Sequence, residues 1–164
     1  MFLESIIRPL LIVHAVSAAV LVGSSTHHLL WCRGYLAGKF GRAKAERRFV
    51  SIVAIAFSFT FLLGNLIYPT YKVRVRAEYF DSPQMVVHGL SAVGRLFDIK
   101  EHWVALGWAA ALLLLALSRF SHPKDHPKVT RLYVGISLFI CASAWFGAIV
   151  GLVTASYKSV ASLR

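Results

Sequence analysis

Histidines inside an apolar stretch are the residues of this chain with the clearest capacity for chemistry. His14 and His28 are fourteen residues apart within residues 9–31, a stretch that contains no Asp, Glu, Lys or Arg. At roughly 100° per residue of helix the two side chains fall about 40° apart, so both lie near one helix face. An ionisable side chain at membrane depth is a functional candidate by default. Histidine is a common ligand of haem iron, so iron ligation is the chemistry to consider first.

A second iron ligand would have to come from another helix at the same depth. By a rise of 1.5 Å per residue, His14 and His102 lie roughly 9 and 12 Å from the middle of their helices, on the same side. We therefore predict one haem b held by His14 and His102, with His88 as the competing second ligand. Arg74 and Arg76 are expected to pair with the haem propionates, as guanidinium groups do with carboxylates.

A second haem on the other side of the membrane is a weaker prediction. His28 lies roughly 12 Å from the middle of its helix and could meet His122 there. Pro123 should end the third helix, however, and His122 and His126 are more simply interpreted as parts of a solvated loop. His28 is therefore kept as a candidate ligand of a second haem b.

Each histidine also has a simpler interpretation. His102 could lie among lipid headgroups, and His14 could hydrogen-bond a serine or a carbonyl across the bundle. Hydroxyl side chains lie on the same face of the first predicted helix as His14 and His28. The second predicted helix carries a similar polar stripe at Ser51, Ser58 and Asn65. Such stripes are ordinary contacts between transmembrane helices.

The elements that would position these residues are four apolar runs, at 9–31, 49–68, 102–118 and 132–157. A bilayer core about 30 Å thick needs roughly 20 apolar residues per helix, which each run approaches. The chain is 57% hydrophobic, too apolar for a soluble domain of this size. We predict an all-α integral membrane fold: residues 1–164 form a single domain, a four-transmembrane-helix bundle.

The segment 69–101 between the second and third helices is predicted to be more than a loop. Pro83 suits the first position of a helix, and apolar residues recur at helical spacing from there to Phe97. This pattern predicts a short amphipathic surface helix over 83–97. Asp98, with Glu101 three residues on, then resembles a capping box that opens the third transmembrane helix.

The basic residues that give the chain its net charge of +11 lie beside the apolar runs. That placement is typical of topology signals and of contact with anionic lipid, and it argues against nucleic-acid binding. Residues 33–48 carry six basic side chains against the single acid Glu46, and 119–131 carry four against Asp125. By the positive-inside rule we predict a multi-pass protein of the cell inner (cytoplasmic) membrane, with these two loops inside and both termini on the outer side.

Four transmembrane helices with His14 and His28 fourteen residues apart on one of them resemble membrane b-type cytochrome subunits. The resemblance implies one or two haems b and electron transfer between a quinone and a partner redox protein. The chain departs from the two-haem pattern, because no other predicted transmembrane helix carries a second pair at that spacing.

Other classes remain open. A cofactor-free structural subunit of a larger membrane complex would use the same bundle, with Gly147 and Gly151 on a close-packing face. A metal transporter is disfavoured, since Met1 and Met85 are the only thioethers and no acid lies within an apolar run. The sequence has no evident catalytic constellation or Gly-rich phosphate loop, so we expect a non-catalytic electron-transfer or structural subunit.

Overall fold

The computed structural model describes residues 2–158, with side chains from Ile6 onward. Every regular element within that range is helical. The helices are α1 (Phe2–Cys32), α2 (Ala43–Tyr71), α3 (Pro83–Val87), α4 (Ser91–Phe120) and α5 (Thr130–Tyr157). Short 3-10 turns follow α1 (Arg33–Ala37) and precede α5 (Pro127–Val129), and a stretch with wider π-helical winding (Lys72–Phe80) continues α2.

Four of the described helical segments are long and apolar enough to cross a membrane: Ile6–Ala37, Ala43–Phe80, Ser91–Phe120 and Pro127–Tyr157. They correspond to the four apolar runs of the sequence, so the prediction of four long apolar helices is confirmed. Each helix extends beyond its run into flanking polar residues. A helix keeps its backbone hydrogen bonds satisfied internally, which lets it continue past the apolar zone.

The long helices form a bundle in which α1 packs on α2 and α5, and α4 also packs on α2 and α5. Helices α1 and α4 therefore occupy opposite corners. We call the end with residues 33–42 and 121–129 the loop end, and the end with residues 72–90 the terminal end. Residues Met1 and 159–164 lie outside the described range, so the predicted side of the two termini stays a prediction.

Two apolar clusters fill the bundle. The larger contains Phe57, Leu114 and Ile140, buried to 1% exposure or less, and reaches the loop end. The smaller joins the start of α1 to the end of α2 at the terminal end, through Ile7 and Ile67 with the π-helical stretch. Lipid tails are as apolar as these side chains, so within a membrane packing and hydrogen bonds would supply the specificity of the bundle.

Polar side chains tie neighbouring helices together. Thr60 Oγ1 of α2 donates to Ser17 Oγ of α1 at 3.0 Å, and Trp108 Nε1 of α4 donates to Ser58 Oγ of α2 at 2.9 Å. Trp145 Nε1 of α5 donates to a hydroxyl of α1 at 3.0 Å. The stripes of serine and threonine therefore act as contacts between helices, which is the simpler of the two interpretations of these residues.

The segment before α4 differs from its prediction. Helix α3 ends at Val87, a turn with Gly89 at φ +73° follows, and α4 begins at Ser91. The prediction of one helix over 83–97 with a new start at Asp98 is therefore wrong. A left-handed residue such as Gly89 cannot continue a helix, and the Asp98 carboxylate accepts a hydrogen bond from Arg76 instead of capping a helix.

Gly107 of α4 marks the closest approach of α4 to its neighbours. A Cβ at this position would lie 2.7 Å from Ser143 Cβ of α5 and 2.9 Å from Phe57 Cζ of α2. No such contact is possible without a shift of one helix. The position therefore requires glycine for the three helices to meet.

We expect Gly107→Ala to lower the thermal unfolding midpoint, because overpacking costs about 1–3 kcal/mol. Gly135→Ala on α5 is the matched control, since a Cβ there would meet nothing within 4 Å. Unfolding can be followed in detergent by the reactivity of the buried thiols Cys32 and Cys141. Equal midpoints for the two variants would contradict the close approach.

Candidate functional site

A fully buried carboxylate lies at the loop end of the bundle. Oε1 of Glu46 is 2.5 Å from His28 Nε2 and accepts a hydrogen bond from Tyr133 Oη at 2.7 Å. Oε2 is 2.9 Å from His122 Nε2 and accepts a hydrogen bond from Tyr35 Oη at 3.2 Å. Glu46, His28, His122, Tyr35 and Tyr133, each 3% exposed or less, are called the Glu46 cluster.

Every element at the loop end contributes to this cluster. His28 comes from the last turns of α1, Tyr35 from the 3-10 turn after it, and Tyr133 from the first turn of α5. His122 lies in the connection after α4. Glu46 itself lies in the first turn of α2, where the positive end of the helix dipole favours a negative charge.

The backbone fixes the protonation form of His122. The amide N–H of Lys124 donates to His122 Nδ1 at 3.1 Å, so Nδ1 must carry a lone pair. The proton of the neutral ring is therefore on Nε2, which donates to Glu46. A nitrogen that carries a proton cannot ligate a metal, so this geometry makes His122 a hydrogen-bond donor.

The acceptor capacity of the carboxylate is fully used. An ionised carboxylate offers about four lone-pair positions, and the four contacts of the Glu46 cluster occupy them. His28 directs Nε2 at Glu46, so this nitrogen is not directed at a haem. The cluster is suited to holding a negative charge in place and to joining helix ends, and it has no acceptor position left for a ligand.

A second polar region lies at the terminal end, around His14. Nδ1 of His14 is buried and has no hydrogen-bond partner among residues 6–158. The ring contacts α2, where the backbone of Thr60 interacts with it and a Cβ on Gly64 would lie 3.4 Å from Cε1. The positive charge of Lys100 on α4 also acts on this ring. A buried nitrogen without a partner is costly, so it is a candidate for ligand binding.

Lys100 of α4 is partly buried and approaches α5. Its Nζ lies 4.4 Å from the centre of the Phe97 ring and 3.4 Å from the position a Cβ on Gly151 of α5 would take. Phe97 in turn stacks on Tyr71 of α2 at 3.8 Å, and the buried hydroxyl of Tyr71 lacks a hydrogen-bond partner in the described part of the chain.

The structure does not bring His14 together with its predicted partners. His102 is roughly 200° from Lys100 around α4 and is exposed, with Nδ1 hydrogen-bonded to the carbonyl of Asp98 at 2.9 Å. His88 is also exposed, in the turn after α3. Of the residues predicted to hold haem b at this end, His14 alone has a buried nitrogen without a partner.

The two arginines predicted to bind propionates have partners within the protein. Arg76 donates from Nε to Asp81 at 2.9 Å and from Nη1 to the carbonyl of Gly94 at 3.0 Å, and also to Asp98. Arg74 likewise has interactions of its own. Arg76 therefore holds the π-helical stretch against α4, a role that the sequence did not suggest.

Sequence reasoning allowed His28 and His122 to meet but did not find Glu46 between them. His122, interpreted as part of a solvated loop, is 1% exposed, so that interpretation is wrong. Tyr35 and Tyr133 are buried, with their hydroxyls on Glu46. The available signal was a single acid among six basic residues in 33–48.

Comparison of the chain with protein-family models, curated proteins and solved structures finds no match. Among the described residues, no group of three or more His, Cys, Asp or Glu side chains is arranged to hold a metal ion. The Glu46 cluster and the region around His14 are therefore the features of the protein that bear on its function.

Glu46→Gln should destabilise the fold, at about 1–3 kcal/mol for each buried donor of the cluster that is left without an acceptor. The amide NH2 would face donors, and the fixed Nε2–H of His122 cannot reverse its role. Thermal unfolding monitored by Cys32 reactivity measures the effect. Glu78→Gln, an exposed position, is the matched control. An unchanged midpoint for Glu46→Gln would show that the cluster does not stabilise the bundle.

Proposed function

We propose that this chain is a multi-pass protein of the cell inner membrane that passes electrons between the quinone pool and a partner redox protein. The observation that carries the proposal is the buried, unpartnered Nδ1 of His14 within a membrane-length helix. Such a nitrogen needs a ligand, and an iron or a hydrogen-bonding cofactor would supply one.

The residues fit haem b in part. His14 would hold the iron from α1, and Lys100 would pair with a propionate more readily than Arg76, whose Nε and Nη1 already bind Asp81, Gly94 and Asp98. His102 or His88 could serve as the second ligand only after a change of orientation. When bound, haem b supplies a one-electron couple, and a helix bundle supplies the dry surroundings that set its potential.

The same pair of groups also suits a quinone. The carbonyl oxygens of a quinone accept hydrogen bonds, and both an imidazole N–H and an ammonium group donate them. His14 and Lys100 therefore offer donors of the kind that a quinone head would need within the bundle. The quinone is proposed as the diffusible electron carrier that meets the protein at the terminal end.

A second candidate function is a cofactor-free structural subunit of a larger membrane complex. The Glu46 cluster favours it, because a saturated buried network serves to fix helix ends and not to bind ligands. In either case we propose that the chain works beside other membrane or redox subunits, as a bundle of this size without a catalytic constellation requires a partner for turnover.

We expect the purified wild-type protein, expressed with ample haem, to show a reduced-minus-oxidised spectrum of b type that His14→Ala abolishes. His27→Ala is the matched control, since His27 is exposed and packs against Trp31 and Phe49. Loss of the spectrum in both variants would indicate general misfolding. A wild-type protein without Soret absorption would overturn the haem proposal and favour the structural subunit.

The proposed orientation places the loop end in the cytoplasm, because basic residues concentrate there. In intact cells, a cysteine at exposed Lys39 should resist an impermeant thiol reagent, whereas one at exposed Gln84 of α3 should be labelled. The native thiols Cys32 and Cys141 are buried and give little background. The opposite labelling pattern would invert the topology and place the His14 region on the cytoplasmic side.

A further inference from the structure

A groove on the outside of the bundle combines an apolar floor with a basic rim. It has a volume of about 470 Å³ and lies between α2 and α4 near the loop end. Ser51 and Ile55 line it from α2, and α4 contributes apolar side chains that end at Arg119 and Phe120. Ile55 is 69% exposed and Phe120 is 82% exposed, so the groove opens to the surroundings of the bundle.

Arg119 is placed to bind an anion at the end of this groove. It lies in the last turn of α4 and is exposed, and one guanidinium nitrogen donates to Ser51 Oγ at 3.1 Å. That bond fixes the side chain over the groove. A guanidinium group has five N–H donors, so others remain for a phosphate, which it can bind in a bidentate manner.

Further positive charge lies on the same side. Lys44 and Arg48 are exposed and fall roughly 20° from Ile55 around α2, towards the loop end. Along α2, Arg48 lies about one turn and Lys44 about two turns from Ser51, the residue that Arg119 contacts, so both add positive charge on the loop-end side of the groove. Basic pockets between transmembrane helices at a membrane surface are suited to anionic lipid headgroups.

We propose that this groove binds one anionic phospholipid, with its phosphate on Arg119 and an acyl chain against Ile55, Leu112 and Leu115. The positive charge at the rim of the groove selects an anionic headgroup. The apolar floor requires that this headgroup carry an acyl chain. The site is separate from the His14 region, and the proposal does not depend on the presence of haem b.

Native mass spectrometry of the full chain in detergent tests the proposal, with phosphatidylglycerol and phosphatidylcholine of the same acyl chains as probes. Wild-type protein should retain phosphatidylglycerol in preference to phosphatidylcholine. Arg119→Gln should weaken phosphatidylglycerol binding roughly five-fold, the effect of about one basic residue near an anionic surface. Arg131→Gln, an exposed basic residue at the loop end of α5, should leave binding unchanged.

A second variant tests the groove without a change of charge. Ala116→Phe fills the groove and should also reduce phosphatidylglycerol binding, whereas Ala19→Phe, exposed on the opposite corner helix α1, should not. Equal retention of the two lipids by wild-type protein would overturn the proposal. So would equal binding by Arg119→Gln and Arg131→Gln, or a normal affinity of Ala116→Phe.

Discussion

The loop end of this bundle depends on one buried carboxylate. An unpaired acid taken out of water costs several kcal/mol, and the fold offsets this cost by directing two imidazoles and two phenols at Glu46. Those donors come from α1, the turn after it, the connection after α4, and α5. The carboxylate therefore fixes where these elements end relative to α2.

The terminal end is built differently. There the helices meet through apolar side chains and through Arg76, which joins the π-helical stretch to α4. Buried polar atoms of His14 and Tyr71 have no partner in the described structure at this end. The Glu46 cluster is thus saturated, whereas unsatisfied buried atoms remain at the terminal end, and another, Ser118 Oγ, lies in the last turn of α4 near the loop end. The saturated cluster supports the proposed structural role of the loop end, and the unpartnered His14 nitrogen supports the proposed ligand site.

The sequence predicts those structural features that depend on neighbouring residues alone. Four apolar runs predicted four long helices, because length and composition decide whether a segment can cross a membrane. The sequence predicts a helix start at Asp98, whereas the turn before α4 lies at Gly89. A capping pattern and a glycine turn both indicate a helix boundary, and only the tertiary contact with Arg76 shows which role Asp98 takes. Lys100 approaches Gly151 of α5 whereas His102 is exposed, and the rotation of α4 that decides this depends on how the helices pack.

The role of Glu46 lay beyond sequence reasoning, because the groups that bind it lie up to 87 residues away along the chain. An infrared difference spectrum between wild-type protein and Glu46→Gln at neutral pH tests the central claim most directly, that Glu46 is an ionised carboxylate held by four donors. The account predicts that the substitution removes carboxylate stretching bands and leaves the protonated carboxyl region unchanged. Loss of a protonated carboxyl C=O band instead would contradict it, since a neutral Glu46 could not accept all four hydrogen bonds.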